Sequence, residues 1–266
     1  QNIVERYLQD PPNTRAVAGA VLVRNSRDNW VTRCQEWDYF LGIAAIKRVQ
    51  SLYQGTLVAQ GAFSLYDKAT LISVGGWPEC VGEDIVLTWA ILKAGYRVGH
   101  CEDACLFTNA PTTAKQFIRQ RQRWSRGMIE AFKQHPGILF KRQLPTFFIW
   151  WNLLFPWLDL AFTFGFVPGL ILALFGNFLI VGPMTLALLP IAAIMNWFMF
   201  TVSGRMFMQR GLKVRKNPLG LFIYVLVYSL LLQPACLVGY FLELFNTRKT
   251  WGTKASITYQ PLKATK

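Results

Sequence analysis

The sequence predicts an α/β domain followed by an α-helical transmembrane region. Two observations carry that reading. Strand-like and helix-like stretches alternate through residues 1–144, the pattern of an α/β domain. Charge then nearly disappears. Residues 1–144 hold 18 Lys/Arg and 12 Asp/Glu, whereas residues 145–266 hold 10 Lys/Arg and only two acids, Asp159 and Glu243. No charged residue falls between Asp159 and Arg205, or between Lys216 and Glu243. Apolar runs of roughly 20 residues read as membrane-crossing helices. The divisions expected are a water-facing domain at 1–144, membrane or interfacial helices at 145–245 with about three spans, and a basic tail at 246–266.

Taken in order, residues 3–9 read as a helix end stopped by Asp10-Pro11-Pro12. Ala16–Val23 reads as a buried strand. Residues 29–53 read as a helix, because Trp30, Cys34, Trp37, Leu41 and Ala45 recur at helical spacing. Thr56–Ala59 and Ala62–Tyr66 read as short strands broken by Gly61. Asp67 can cap a short helix that ends at Gly75-Gly76. Asp84–Ala94 reads as a helix with Gly95 just beyond it, and Tyr96–Gly99 as a strand. Thr113-Ala114-Lys115-Gln116 reads as a capping box opening a helix of roughly 20 residues.

Three dense apolar segments follow, at about 146–175, 182–204 and 219–242. The first carries Pro156 and Pro168 and reads as an interfacial helix leading into a span. Its Trp150, Trp151 and Trp157 suit an interface belt. The loop at 205–217 carries Arg205, Arg210, Lys213, Arg215 and Lys216, so the positive-inside rule makes it cytosolic. Two spans between domain and loop put the domain in the cytosol as well. A third span then puts the basic tail from Arg248-Lys249 outside, in conflict with the same rule.

The net charge of +14 suits anionic lipid or phosphorylated substrates, and no nucleic-acid module is recognisable. Five cysteines at irregular spacing do not suggest a disulfide framework and fit a reducing cytosolic face. His100, Cys101 and Cys105 lack a second ligand pair, so a strand end with buried thiols is preferred to a metal site. The chain opens at Gln1 in mid-helix, without Met or a secretory signal. The expectation is a true beginning further upstream.

Two places can carry chemistry. Asp84 lies at a helix N-terminus after Gly82, where free N–H groups favour a carboxylate. The plain alternative is an N-cap; the functional one is a general base taking a proton from an attacking hydroxyl. Glu83 is then a neighbouring or acceptor-binding carboxylate. On the later helix, Gln120, Arg123, Trp124 and Gly127 share one face, and Arg119, Arg121 and Arg126 add positive charge. An Arg can hold a diphosphate through two parallel hydrogen bonds, and a Trp face can stack on a sugar ring. The alternative is a basic helix lying on anionic lipid.

Gly82-Glu83-Asp84, then Gln120-x-x-Arg123-Trp124, then membrane helices, resembles the processive family 2 glycosyltransferases. These include cellulose, hyaluronan and chitin-type synthases and bacterial poly-N-acetylglucosamine synthases. The family's acidic motif is commonly Thr-Glu-Asp with the Asp as base; Gly82 replaces the Thr here. Gln60-Gly61-Ala62 resembles its small-residue turn along the acceptor path, and Gly75-Gly76-Trp77 the turn into the acidic motif. The resemblance covers about residues 15–250 and implies the C-terminal part of a GT-A-type domain. It implies an inverting transfer from a UDP-sugar donor to a growing polysaccharide, with translocation through the membrane helices. By the same resemblance Asp84 is expected to be catalytic, and Glu83, Gln120, Arg123, Trp124 and Gly61 to bind acceptor or donor. It also implies a divalent metal, Mg or Mn, whose Asp-x-Asp ligands are not in this chain. Membrane lipids and an accessory membrane subunit are the other partners implied, and the location is the cell (inner) membrane. The pattern with Trp251-Gly252-Thr253-Lys254 looks most like the poly-N-acetylglucosamine type, hence UDP-GlcNAc. The rival readings are a single-sugar glycolipid transferase and a truncated or non-catalytic membrane subunit.

Overall fold

The computed structural model describes residues 1–247 apart from Gln54, Arg210 and Lys213. The Arg248-Lys249 pair and the 251–254 segment lie outside the described residues. The core of the water-facing part is a three-stranded sheet of order β2-β1-β3. Its centre is β1 (Thr14–Val23), antiparallel to β2 (Ser64–Tyr66) and parallel to β3 (Arg97–Thr108). Strand β1 is apolar on both faces, as a strand covered on both sides must be, and Ala16, Val17 and Ala18 are wholly buried.

Helix α1 (Asn2–Gln9) packs on β3. Helix α2 runs continuously over residues 30–52, with wide π-helical turns across Asp38–Ala45. It opens on a reciprocal cap, in which Asn29 Oδ1 accepts from Thr32 N at 3.1 Å and Asn29 N donates to Thr32 Oγ1 at 3.1 Å. Helix α3 (Lys68–Ser73) is capped by Asp67, which accepts from Thr70 N at 2.8 Å. Helix α4 (Glu83–Lys93) and helix α5 (Ala114–Gln134) then pack against each other.

Four expectations change. Thr56–Ala59 is not a strand: Thr56 N donates to Val98 O at 2.9 Å, an isolated bridge forms at Gly55, and the chain then leaves the sheet. The final strand runs to Thr108, because residues 102–104 form a bulge between the pairs Gly19–Cys101 and Ala20–Cys105 and pairing resumes beyond it. His100 and Cys101 therefore lie mid-strand rather than at a strand end. At Thr113 only half of the capping box exists; its hydroxyl accepts from Gln116 N at 3.3 Å, while the Gln116 side chain turns to the Thr112 hydroxyl. The first apolar segment is one uninterrupted helix, α6 (Leu144–Leu174), with a wide turn over Phe162–Phe166 after Pro156.

Helices α7 (Met184–Gln209) and α8 (Pro218–Leu244) follow. By length and composition, α6, most of α7, and α8 are each long and apolar enough to cross a membrane. Helix α8, however, lies along the α/β domain. Gly239 lies so close to Gln122 and Ser125 of α5 that a Cβ there would collide with both.

Candidate active site

The N-terminus of α4, the 59–61 turn and the middle of α5 converge. The turn is pinned by three hydrogen bonds. Ala59 N donates to Thr88 Oγ1 at 2.9 Å, Tyr66 OH to Ala59 O at 2.5 Å, and Gln60 Nε2 to Gly19 O at 2.9 Å. Gly61 is thereby held over Asp84, and its N–H donates to Asp84 Oδ2 at 3.3 Å. Asp84 Oδ1 accepts from Ile85 N at 2.8 Å. Asp84 is half-buried one residue inside α4, and the N-cap position belongs to Gly82. The carboxylate is therefore oriented by backbone N–H groups while still reachable from solvent.

Gly82 explains itself by contact. A Cβ on Gly127 would sit 2.6 Å from Gly82 Cα, so α5 rests directly on the acidic turn at two glycines. Beside it, Gly82 N donates to Glu130 Oε2 at 2.7 Å, and Glu130 is buried. This docking brings Arg123 into the field of Glu83. Burial pushes the Glu83 carboxyl up, a backbone hydrogen bond opposes that, Asp84 adds to it, and the Arg123 charge opposes it.

The Gln-x-x-Arg-Trp residues divide by environment. Arg123 is exposed, Trp124 is 39% exposed, and Gln120 is half-buried with Oε1 lacking a hydrogen-bond partner among the described residues. Gln120 borders an open polar cleft of about 630 Å³ that Arg24, Asn25, Asn109 and Gln116 also line. Arg121 and Arg126, read from sequence only as added positive charge, are buried. Arg121 pairs with Asp38 of α2 at 2.9 Å and lies 4.1 Å from the Trp124 ring centre. Arg126 pairs with Glu243 of α8 at 3.3 Å.

Sequence reading missed Lys47, Asp38 and Glu130. Lys47 is buried on α2; burial pushes its ammonium down to about 7, and the Asp84 charge opposes that fall. His100 beside it is pushed down to about 3, by burial first and then by Lys47. The only hint in sequence was a Lys inside an apolar helical stretch. Among the described residues no group of three His, Cys, Asp or Glu gathers as metal ligands would. Asp10 is taken by Arg6 at 2.9 Å. The described residues therefore do not fit a metal.

Two carboxylates at a helix N-terminus facing a basic, aromatic helix make a candidate group-transfer site on an α/β scaffold. The chain belongs to the glycosyl transferase family group 2, whose model matches residues 2–202. It is 32% identical over 124 residues to an N-acetylglucosaminyltransferase of Rhizobium meliloti (strain 1021), covering 43% of this chain and 29% of that protein. It is 30% identical over 126 residues to a poly-beta-1,6-N-acetyl-D-glucosamine synthase of Staphylococcus aureus (strain COL), covering 47% of this chain and 30% of that protein. The matched segment thus spans less than a third of these relatives. Among solved structures, a mannosyltransferase from Pyrobaculum calidifontis in complex with GDP-Man and Mn2+ aligns with a TM-score of 0.49 at 16% identity, over 92% of this chain and 57% of that one.

Proposed function

We propose that this chain carries the base and the acceptor wall of an inverting glycosyltransferase that extends a polysaccharide from a UDP-sugar. The observation that carries the reading is the Gly61 N–H to Asp84 contact beneath a helix whose Arg123 and Trp124 are both exposed. Asp84 removes the proton from an acceptor hydroxyl. That oxygen attacks the anomeric carbon as the bond to the diphosphate breaks on the opposite face. Arg123 offsets charge on the departing diphosphate. Trp124 stacks on the terminal acceptor sugar, and a sugar hydroxyl satisfies the lone Gln120 Oε1. Glu83 and Gly61 flank the acceptor. A divalent metal held by residues outside this chain belongs to the donor side. The names of the relatives favour UDP-GlcNAc as donor.

The 214–217 segment bears on sidedness. Arg27 donates to Lys216 O at 3.2 Å and Asn217 Nδ2 to Arg33 O at 2.9 Å, so Lys216 and Asn217 lie against the domain. A basic loop is kept inside. This supports a multi-pass protein of the inner membrane with the domain in the cytosol.

The test uses the full-length protein in membrane vesicles. Asp84→Asn is expected to lower transfer from UDP-GlcNAc by at least about 100-fold while UDP still binds, the scale of a lost general base. Normal turnover in the variant removes the base assignment. Product size separates polymer from single-sugar glycolipid.

A further inference from the structure

Buried charge is concentrated on α5 directly beneath Trp124. Arg121 is 4% exposed, and its guanidinium pairs at 2.9 Å with the carboxylate of Asp38, which is also buried. The same guanidinium lies over the Trp124 ring, with Cζ 4.1 Å from the ring centre, and over Phe117 at 5.0 Å. Tyr39 closes one side, its ring 6.1 Å from that of Trp124 and 5.9 Å from Arg121 Cζ. Tyr228 of α8 closes another at 5.9 Å. One face of the indole is thus covered by a buried cation, while Trp124 as a whole stays open to solvent.

Stability does not account for this arrangement. Taking two charges out of water is expensive, and a well-packed apolar pair of similar volume is often as stable or more so. What the pair supplies is direction. A guanidinium is planar and rigid and stacks flat on an aromatic face. Arg121 and Trp124 stand three positions apart, neighbours on successive turns of one helix. Asp38 also opens the wide π-helical stretch of α2 over Asp38–Ala45, and such turns are frequent at functional sites. There two successive residues, Asp38 and Tyr39, both reach α5.

We propose that Asp38 and Arg121 are positioning residues for the acceptor. Asp38 holds Arg121 flat against one face of Trp124, so that the other face meets the terminal sugar at a fixed angle. Neither residue touches substrate. The inference rests on the reading of Trp124 as the acceptor platform. With the platform fixed, each new terminal sugar presents its hydroxyl to Asp84 in the same pose. With the platform free to tilt, the growing chain is held less well and leaves earlier. Donor binding uses neither residue.

The experiment uses full-length protein in membrane vesicles supplied with UDP-GlcNAc, and reads mean product length and the half-saturating donor concentration. Asp38→Leu together with Arg121→Met removes both buried charges, which preserves the fold, and takes away the planar support under Trp124. Product is expected to be about tenfold shorter, the scale of one lost cation–π contact in a desolvated site, with the half-saturating donor concentration unchanged. Asp38→Glu keeps the charge and should retain most of the length. Wild-type product length from the folded double variant overturns the inference, as does a loss confined to donor affinity. If the double variant does not fold, Arg121→Lys gives the second reading, since it keeps the charge beside Asp38 and loses the planar stack. Shorter product then supports the inference and full-length product rejects it. Trp124→Ala is assayed in parallel. Short product from it beside long product from the Asp38 and Arg121 variants rejects the positioning role and leaves the acceptor platform standing. Long product from Trp124→Ala itself removes the platform, and the inference falls with it.

Discussion

At Asp84 the difference between a cap and a base is a matter of which groups hold the oxygens. Neither oxygen caps the helix in the usual way, because the cap position is Gly82 and that residue is occupied in touching Gly127. Lys47 is the other residue whose environment decides its chemistry. In the unfolded chain it keeps its proton up to 10.5, and in the folded chain only up to about 7. Between those values the unfolded state binds the extra proton, so stability rises with pH across that window and the contribution is complete above 10.5. Lys47→Met is expected to melt higher than wild type near pH 7, and the gap should shrink as pH approaches 10. Parallel melting curves over that range would show that Lys47 is not held neutral. A Lys inside an apolar helical stretch was a hint that could not decide this, because burial of one Lys depends on where α2 lies relative to the sheet.

At the scale of elements, α5 was legible in outline and misread in detail. Thr113 and the spacing of Gln120, Arg123 and Trp124 placed the helix. Which arginines face water followed from its neighbours instead. Arg121 is enclosed by Trp124, Phe117, Tyr39 and Tyr228, with ring centres 4.1 to 5.9 Å away. An Arg can be buried only where a carboxylate and aromatic faces replace its water, and Asp38 lies more than 80 positions away in sequence. The glycine contact yields a direct expectation. Gly127→Ala places a methyl 2.6 Å from Gly82 Cα, an overpacking that costs roughly 1–3 kcal/mol. The thermal midpoint should fall, and transfer should fall with it as α5 lifts from the acidic turn. An unchanged midpoint would mean that the two helices are not in close contact. The length of the last strand escaped sequence reading because pairing across a bulge, as at residues 102–104, is fixed by the partner strand and leaves no local pattern.

For the whole molecule, the joint between domain and apolar helices adds ion pairs and hydrogen bonds to apolar packing. Arg126 and Lys133 meet Glu243, and Tyr240 OH donates to Asp159 Oδ2 at 2.9 Å, linking α8 to α6. Glu243→Leu leaves Arg126 buried without its carboxylate, a loss on the order of 3–5 kcal/mol. Limited proteolysis should then release the segment after α7 from the domain. Arg126→Met together with Glu243→Leu removes both charges and is expected to recover most of that loss. A double variant as unstable as Glu243→Leu alone would show that the pair does not hold the joint.

The sequence by itself determined the α/β class, the order of nearly all elements and the three apolar helices. Those follow from local preference, apolar periodicity and motif, all of which are written along the chain. The tertiary structure decided which charges are buried, why Gly82 stands in the acidic turn, how Gly61 aims Asp84, and that α8 lies along α5. Each depends on which residues meet across long separations in the chain. The apolar content of α8 states only that it avoids water; its close packing on α5, far away in sequence, decides where it lies.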